Sequence, residues 1–300
     1  MADSSSPSHA ELDAYHRSHA FTLPAVGDTI ISPLSGTCYT IWQRLNAGSF
    51  GEVFECTDEW GHSLVAKVLR PVGDVLETEA RALSEIAAAG LVRSHHVVQI
   101  HDAFVYKGAF YIISQRCTRT LREMMAEPGG YTAGVWFPAL AKGILHALHW
   151  VHVHGLAHCD VHAGNIFLQF LPDSILENQF ACFFQLGDFG LTRPLQNMDP
   201  TGTFLVSLRP PEAIDPAEYG PLDHRADIYQ AGLLFLSFLS GEELVFTREQ
   251  ILAGDPRALA EALRTPAADA IAAMLRRHAN WRPLTAREAW LQINKALRTQ

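Results

Sequence analysis

Between residues 38 and 70, apolar and polar residues alternate in short runs, broken by turn residues at "NAGSFG" and "DEWGH". A period of two predicts three antiparallel strands joined by two hairpins. The next stretch, "VLETEARALSEIAAAGLV", has apolar residues at helical spacing and reaches Gly90, which predicts a helix with a glycine stop. Two further strands are predicted in "VVQIHDAFVYK" and "GAFYIISQRC". Past Thr120 the spacing turns helical in "TLREMMAE", "FPALAKGILHALHWVHVHG", "HRADIYQAGLLFLSFLSG", "RALAEALR" and "AADAIAAMLRRH". The pattern predicts an α+β chain, in which a small antiparallel sheet with one main helix precedes a larger helical part. "SQRCTRT", 114–120, is the link between them, the kind of junction where ligands most often bind. Residues 1–28, rich in Ser, Pro, His and Ala without an apolar period, predict a flexible arm.

Composition narrows the function classes. Hydrophobic residues at 48% and charged residues at 18% fit a folded globular chain. A formal charge of -9 argues against nucleic acid or an anionic membrane as the main partner. The N-terminus lacks the basic start and apolar core of a secretory signal, so a cytoplasmic protein is expected. The longest apolar run, "QAGLLFLSFLSG", is too short for a membrane span and predicts a buried helix. The cysteines are odd in number and widely spaced, and the histidines are scattered, so neither a disulfide framework nor a zinc site is expected.

Four stretches carry candidate chemistry. "LNAGSFGEV" is a glycine-rich turn that could bring backbone N–H groups onto phosphate oxygens. "LVAK" puts Lys67 in an apolar strand, with Ala66 and Val68 on the opposite face; a carboxylate on the next helix, Glu79 or alternatively Glu77 or Glu85, is its expected partner. "GLAHCDVHAGNIFLQ" holds Asp160, which could accept a hydroxyl proton, and Asn165, which could hold a divalent metal on phosphates. "FQLGDFGLT" then supplies Asp188 as a second metal ligand.

Together, and in order, these stretches resemble the eukaryotic-type protein kinase family, here in a bacterial-type Ser/Thr form with "HCD" for H-R-D. The family series of glycine loop, strand lysine, helix glutamate, H-R-D-x-x-x-x-N, D-F-G, P-P-E, D-x-x-x-x-G and late arginine stands here as "NAGSFGEV", "VAK", "EARAL", "HCDVHAGN", "DFG", "RPPEA", "DIYQAG" and "WRPLTAREA". The resemblance implies a bilobal fold with an N-lobe over 29–116, a C-lobe over 117–300 and one catalytic domain over about 38–297. It implies an ATP- and magnesium-dependent Ser/Thr kinase acting on proteins, with a regulatory protein partner allowed for. Lys67, paired with Glu79, would serve the phosphates, Asp160 would be the catalytic base, and Asn165 and Asp188 would ligate magnesium. Asn46, Gly48, Ser49, Gly51, Val53, Ala66, Ser114, Gln115 and Cys117 would line the nucleotide site. Glu212 and Arg282 would form a buried ion pair, and Asp227 would bond to the backbone near His158.

The chain departs from the family pattern in places that set up alternatives. Asn46 replaces the first loop glycine, and Cys159 replaces the arginine that usually pairs with an activation-segment phosphate, so activation without that phosphate is expected. His162 stands where a Ser/Thr kinase has a lysine, which predicts turnover that falls as pH rises through neutrality. The interval from Asn165 to Asp188 exceeds the family's usual hairpin, predicting an extended tip in "FLPDSILENQF" on the back of the hinge region. A pseudokinase scaffold and a small-molecule phosphotransferase are the alternatives. Thr203 and "RPPEA", which belong to a peptide-holding activation segment, favour a protein substrate.

Overall fold

The computed structural model describes residues 23–48, 51–69, 90, 94–172, 180–199 and 208–299. These fall into two compact units: residues up to 86 with 99–116, and residues 87–98 with 117 onward.

The first unit is an antiparallel sheet of β1 (Thr29–Ile31), β2 (Cys38–Gly48), β3 (Gly51–Thr57), β4 (Ser63–Leu69), β5 (Ile100–Tyr106) and β6 (Ala109–Gln115), in the order β1-β2-β3-β4-β6-β5. Alternation places Phe54, Cys56, Leu64, Ala66 and Val68 on one buried face, where they pack with Ile41, Phe104, Tyr111 and Ile113. Lys67 falls between Ala66 and Val68 and is only partly buried. The β5–β6 hairpin closes through Lys107 and Gly108, both at positive φ (47° and 76°), the geometry a two-residue hairpin requires. β1 extends the sheet beyond the strands predicted from the sequence. Before it the chain is already held, as Gly27 N–H donates to the Ile41 carbonyl at 2.8 Å and Leu23 packs on the core. Of the predicted helix over "VLETEARALSEIAAAGLV", only Gly90 is described, and it is helical.

The second unit is mainly helical. Its described helices are α1 (Leu121–Ala126), α2 (Ala133–Val153), α3 (Pro211–Ile214), α4 (Pro216–Tyr219), α5 (Arg225–Ser240), α6 (Arg248–Ala253), α7 (Asp255–Glu261), α8 (Ala268–Met274) and α9 (Ala286–Arg298). Thr120 caps α1 through a box with Glu123, and Thr285 caps α9. α5, the predicted apolar helix, is buried from Arg225 to Phe238 and forms the centre of the unit. The last helix, with Ala286, Ala289 and Ile293 inward, went unpredicted although its spacing is helical. α3, α4 and α6 are too short for periodicity to reveal.

Short strands complete the unit. β9 (Ile166–Pro172) pairs with β10 (Phe180–Leu186) from Ile166↔Leu186 to Pro172↔Phe180, so the predicted long hairpin is present; its tip, 173–179, lies outside the described residues. β7 (Arg119–Thr120) pairs with β9, and β8 (Leu156–Ala157) pairs with β11 (Arg193–Pro194). The β9–β10 register is what brings Asn165, just before one strand, near Asp188, two residues after the other: Gly187 N–H donates to the Asn165 carbonyl at 3.0 Å.

Candidate active site

In the second unit, residues 158–165 follow β8 and end in a single 3-10 turn, Ala163–Asn165. Asp227, in the first turn of α5, fixes this loop from beneath. Its Oδ2 accepts from His158 N–H at 2.8 Å and from His152 Nε2 at 2.9 Å, and its Oδ1 accepts from Cys159 N–H at 2.8 Å. Burial raises the Asp227 pKa, but the hydrogen bond and electrostatic pull of His152 and the His158 backbone donor outweigh it, and the net direction is down. Gln230, one turn further on, accepts from Val161 N–H at 3.0 Å and donates to the carbonyls of Cys159 and Leu208 at 3.1 and 3.2 Å. One buried amide thus ties the loop to the segment ahead of Glu212.

Asp160 is the polar focus. Asn165 Nδ2 donates to its Oδ2 at 2.8 Å and to its carbonyl at 3.0 Å, while Oδ1 is buried without a hydrogen-bond partner among the described residues. A buried carboxylate oxygen left without a donor is costly unless something else uses it. The two donations occupy the Asn165 NH₂ group and leave its carbonyl oxygen as an acceptor. Asp188 sits in the left-handed region, φ 58° and ψ 79°, a strained geometry of the kind that collects at functional sites. Two oxygen-bearing side chains of this sort suit magnesium, which takes one or two protein ligands and completes its shell with water and phosphate. Among the described residues no cluster of three or more His, Cys, Asp or Glu could hold a metal by itself.

His158 links these parts. Its Nε2 lies 3.2 Å from the Gly187 carbonyl and its Nδ1 accepts from Asp160 N–H at 3.3 Å, so the neutral ring carries its proton on Nε2. Burial lowers its pKa against the opposing charges of Asp227, Asp160 and Asp188. Phe189 packs edge-on against the ring at 5.0 Å.

Cys159 faces the other way. It is fully buried with φ 68°, among Ala157, Ala213 and Ala226 and the partly buried Leu191, Leu195, Met198 and Leu222. Its Sγ lies 4.0 Å from the Met198 sulfur, and burial pushes the thiol well above its ordinary range. Where the family pattern has a cation, this chain joins the loop to the following segment by apolar packing.

Glu212 and Arg282 form a fully buried bidentate pair, both contacts at 2.6 Å. The remaining Arg282 donors reach the carbonyls of Arg225, Arg276 and Arg277, and its guanidinium lies 4.6 Å from the Tyr229 ring centroid. The ion pair is therefore satisfied on all sides.

His162 stands beside Asp160. Its Nδ1 accepts from Gly164 N–H at 3.0 Å and lies 3.4 Å from Arg122 Nη2, while Nε2 is 3.6 Å from Asp160 Oδ1. No pattern in the chain marks Arg122, an outward residue of α1, or His152 and Gln230, which look like ordinary helix residues until folding places them under the loop.

The remaining predicted residues lie elsewhere. In the first unit, Asn46 pairs with Val53, Gly48 with Gly51, Val53 with Lys67 and Ser114 with Val65. A Cβ at Gly51 would collide with the Val68 carbonyl oxygen, so β4 alone demands glycine there. Gln115 pairs with Leu64 and its N–H donates to the Gln99 carbonyl at 2.9 Å. Cys117, at the start of the second unit, has its Sγ 3.6 Å from Gln185 Oε1. Ser49, Glu79, its alternatives Glu77 and Glu85, and Thr203 lie outside the described residues.

Comparison with known proteins agrees with this geometry. The model for "Protein kinase domain" matches residues 39–294. Serine/threonine-protein kinase PknD of Mycobacterium tuberculosis is 30% identical over 210 residues, covering 68% of this chain and 30% of that protein. The probable serine/threonine-protein kinase PkwA of Thermomonospora curvata is 28% identical over 213 residues, covering 68% and 26%. The probable serine/threonine-protein kinase zyg-1 of Caenorhabditis briggsae is 26% identical over 200 residues, covering 66% and 26%. This chain spans about a quarter to a third of the length of these relatives. It belongs to the protein kinase family, and its two units carry the sheet-bearing and helical parts of that fold.

Proposed function

We propose that the protein is an ATP- and magnesium-dependent protein kinase of the cytoplasm; its Ser/Thr specificity is suggested by the similarity to the serine/threonine-protein kinases PknD and PkwA. The observation that carries this reading is the asymmetry of Asp160: Asn165 occupies one oxygen, and the other is buried with no hydrogen bond among the described residues, His162 Nε2 standing 3.6 Å away. In the reaction, Oδ1 accepts the proton of a serine or threonine hydroxyl as that oxygen bonds to the γ-phosphorus. The bond from phosphorus to the β–γ bridging oxygen breaks, and the electron pair leaves with ADP. Asn165 holds Asp160 in place with its amide N–H groups and offers its carbonyl oxygen, with Asp188, to magnesium, which neutralises phosphate charge when bound. Lys67 serves the phosphates, with Glu79 as its partner, and Asn46, Gly48, Ser49, Gly51, Val53, Ala66, Ser114, Gln115 and Cys117 contribute to nucleotide binding.

The apolar seat of Cys159 supports activity that needs no activation-segment phosphate. Among the described residues no helix is long and apolar enough to cross a membrane, which is in keeping with the proposed location. Incubating the protein with γ-labelled ATP, magnesium and generic protein acceptors tests the reading. Label on Ser or Thr that is lost in Asp160→Ala and Asp188→Ala supports it; nucleotide binding without transfer would leave a scaffold. Phosphatase pretreatment should leave turnover intact, and its loss would refute the phosphate-independent activation.

A further inference from the structure

The catalytic loop has a cation from outside itself. Glu243 grips Arg122 side-on, Nε to Oε2 at 3.0 Å and Nη2 to Oε1 at 2.7 Å. The pair is half exposed, at 50% and 45%, so it adds at most about 1 kcal/mol to folding. Its consequence is positional: the guanidinium is held with Nη2 at His162 and Nη1 over Gly164. A Cβ at Gly164 would lie 2.8 Å from Nη1 and 2.8 Å from the His162 ring. Glycine there leaves the space that the arginine fills. Nε and Nη2 are engaged by protein, whereas Nη1 donates to no acceptor among the described residues.

A second arginine follows a residue that is tied to the same loop. Leu208 is bound through its carbonyl to Gln230, which also holds Cys159 and Val161 on either side of Asp160. The next residue, Arg209, has its Nε buried with no hydrogen-bond partner among the described residues. A buried guanidinium nitrogen without an acceptor is rare in a folded chain and calls for an anion.

We propose that Arg122 and Arg209 are acceptor-recognition residues, and that the protein selects serine or threonine in an acidic peptide, whose carboxylates take Nη1 of Arg122 and Nε of Arg209. This rests on the kinase reading and names the substrate class of that site. The protein's net charge of -9 makes the selection a local matter, because the overall field favours basic peptides.

The test measures both binding and transfer on the full chain. Peptides with a central serine flanked by glutamate, alanine or lysine serve as acceptors with magnesium and ATP, and fluorescent copies with alanine in place of serine report binding without chemistry. Glutamate flanks should bind about fivefold more tightly than alanine flanks, with KM moving more than kcat. Arg122→Glu should shift the preference toward lysine flanks, Arg209→Glu should do the same, and Arg122→Lys should restore part of the original order. Equal binding of the three peptides by the wild-type protein, or an order unchanged in both glutamate variants, would overturn the proposal. Transfer without flank preference would sink the acidic-acceptor inference and leave the kinase reading standing. Acidic preference in binding without any transfer would do the reverse.

Discussion

Asp160 and Asp227 are two buried carboxylates serving one loop, and they are held in opposite ways. Asp227 has both oxygens engaged, by two backbone N–H groups and His152. Asp160 has one oxygen engaged by Asn165 and one buried without a hydrogen bond among the described residues. A carboxylate whose acceptor sites are filled serves as scaffold, since any new partner must displace an existing one. A carboxylate with a buried open oxygen stores a cost that an incoming hydroxyl relieves. Glu212 belongs with Asp227, closed on every side by Arg282.

The largest effect expected from breaking this contrast is at Asp160. Asp160→Asn keeps the shape but removes the base, and phosphoryl transfer should drop about a thousandfold or more, with the melting temperature nearly unchanged. A large loss of stability instead would place Asp160 with the scaffold. Next comes Arg282→Leu, which strands the Glu212 charge and should cost about 3–5 kcal/mol in denaturant unfolding. The double change Arg282→Leu with Glu212→Leu should recover much of that loss, since it leaves no unpaired charge. Gln230→Ala removes three bonds that hold the loop and should cost about 2 kcal/mol, together with a fall in turnover that Asp227-type scaffolding implies.

The smallest effect expected is in pH, and it separates histidine from aspartate. Burial lowers the pKa of His96, His101, His146, His149 and His158. Their folded values lie below the unfolded value, so the unfolded chain takes up the protons first. Stability should be full above about pH 6.5 and be lost as pH falls through the folded values. Asp227, also lowered, keeps its contribution down to about pH 4 and loses it below that. Melting temperatures across this range should show a first decline on the histidine side, smaller in His158→Gln. A profile flat from about pH 7 to 5 would contradict it.

Much of this was legible before folding. The strand alternation around Lys67, the long apolar α5 and the ordered motifs through Asp160, Asn165 and Asp188 all depend on residues near one another in the chain. Period two and helical spacing report local geometry directly, and a short loop motif keeps its members together in any fold. The short helices α3, α4 and α6 were not legible because they span too few turns to show a period. α9 was overlooked despite a visible stripe.

The sequence by itself determined the family, the ordered motifs and the longer elements. Only the tertiary structure decided which oxygen of Asp160 stays open, that Cys159 meets Met198, and that Glu243 holds Arg122 against the loop. Arg122, His162 and Glu243 lie on separate elements, and Asp227 lies 67 positions beyond Asp160. Their meeting depends on how α1, α5 and the β9–β10 hairpin pack, and packing is a property of many side chains at once that no local pattern records.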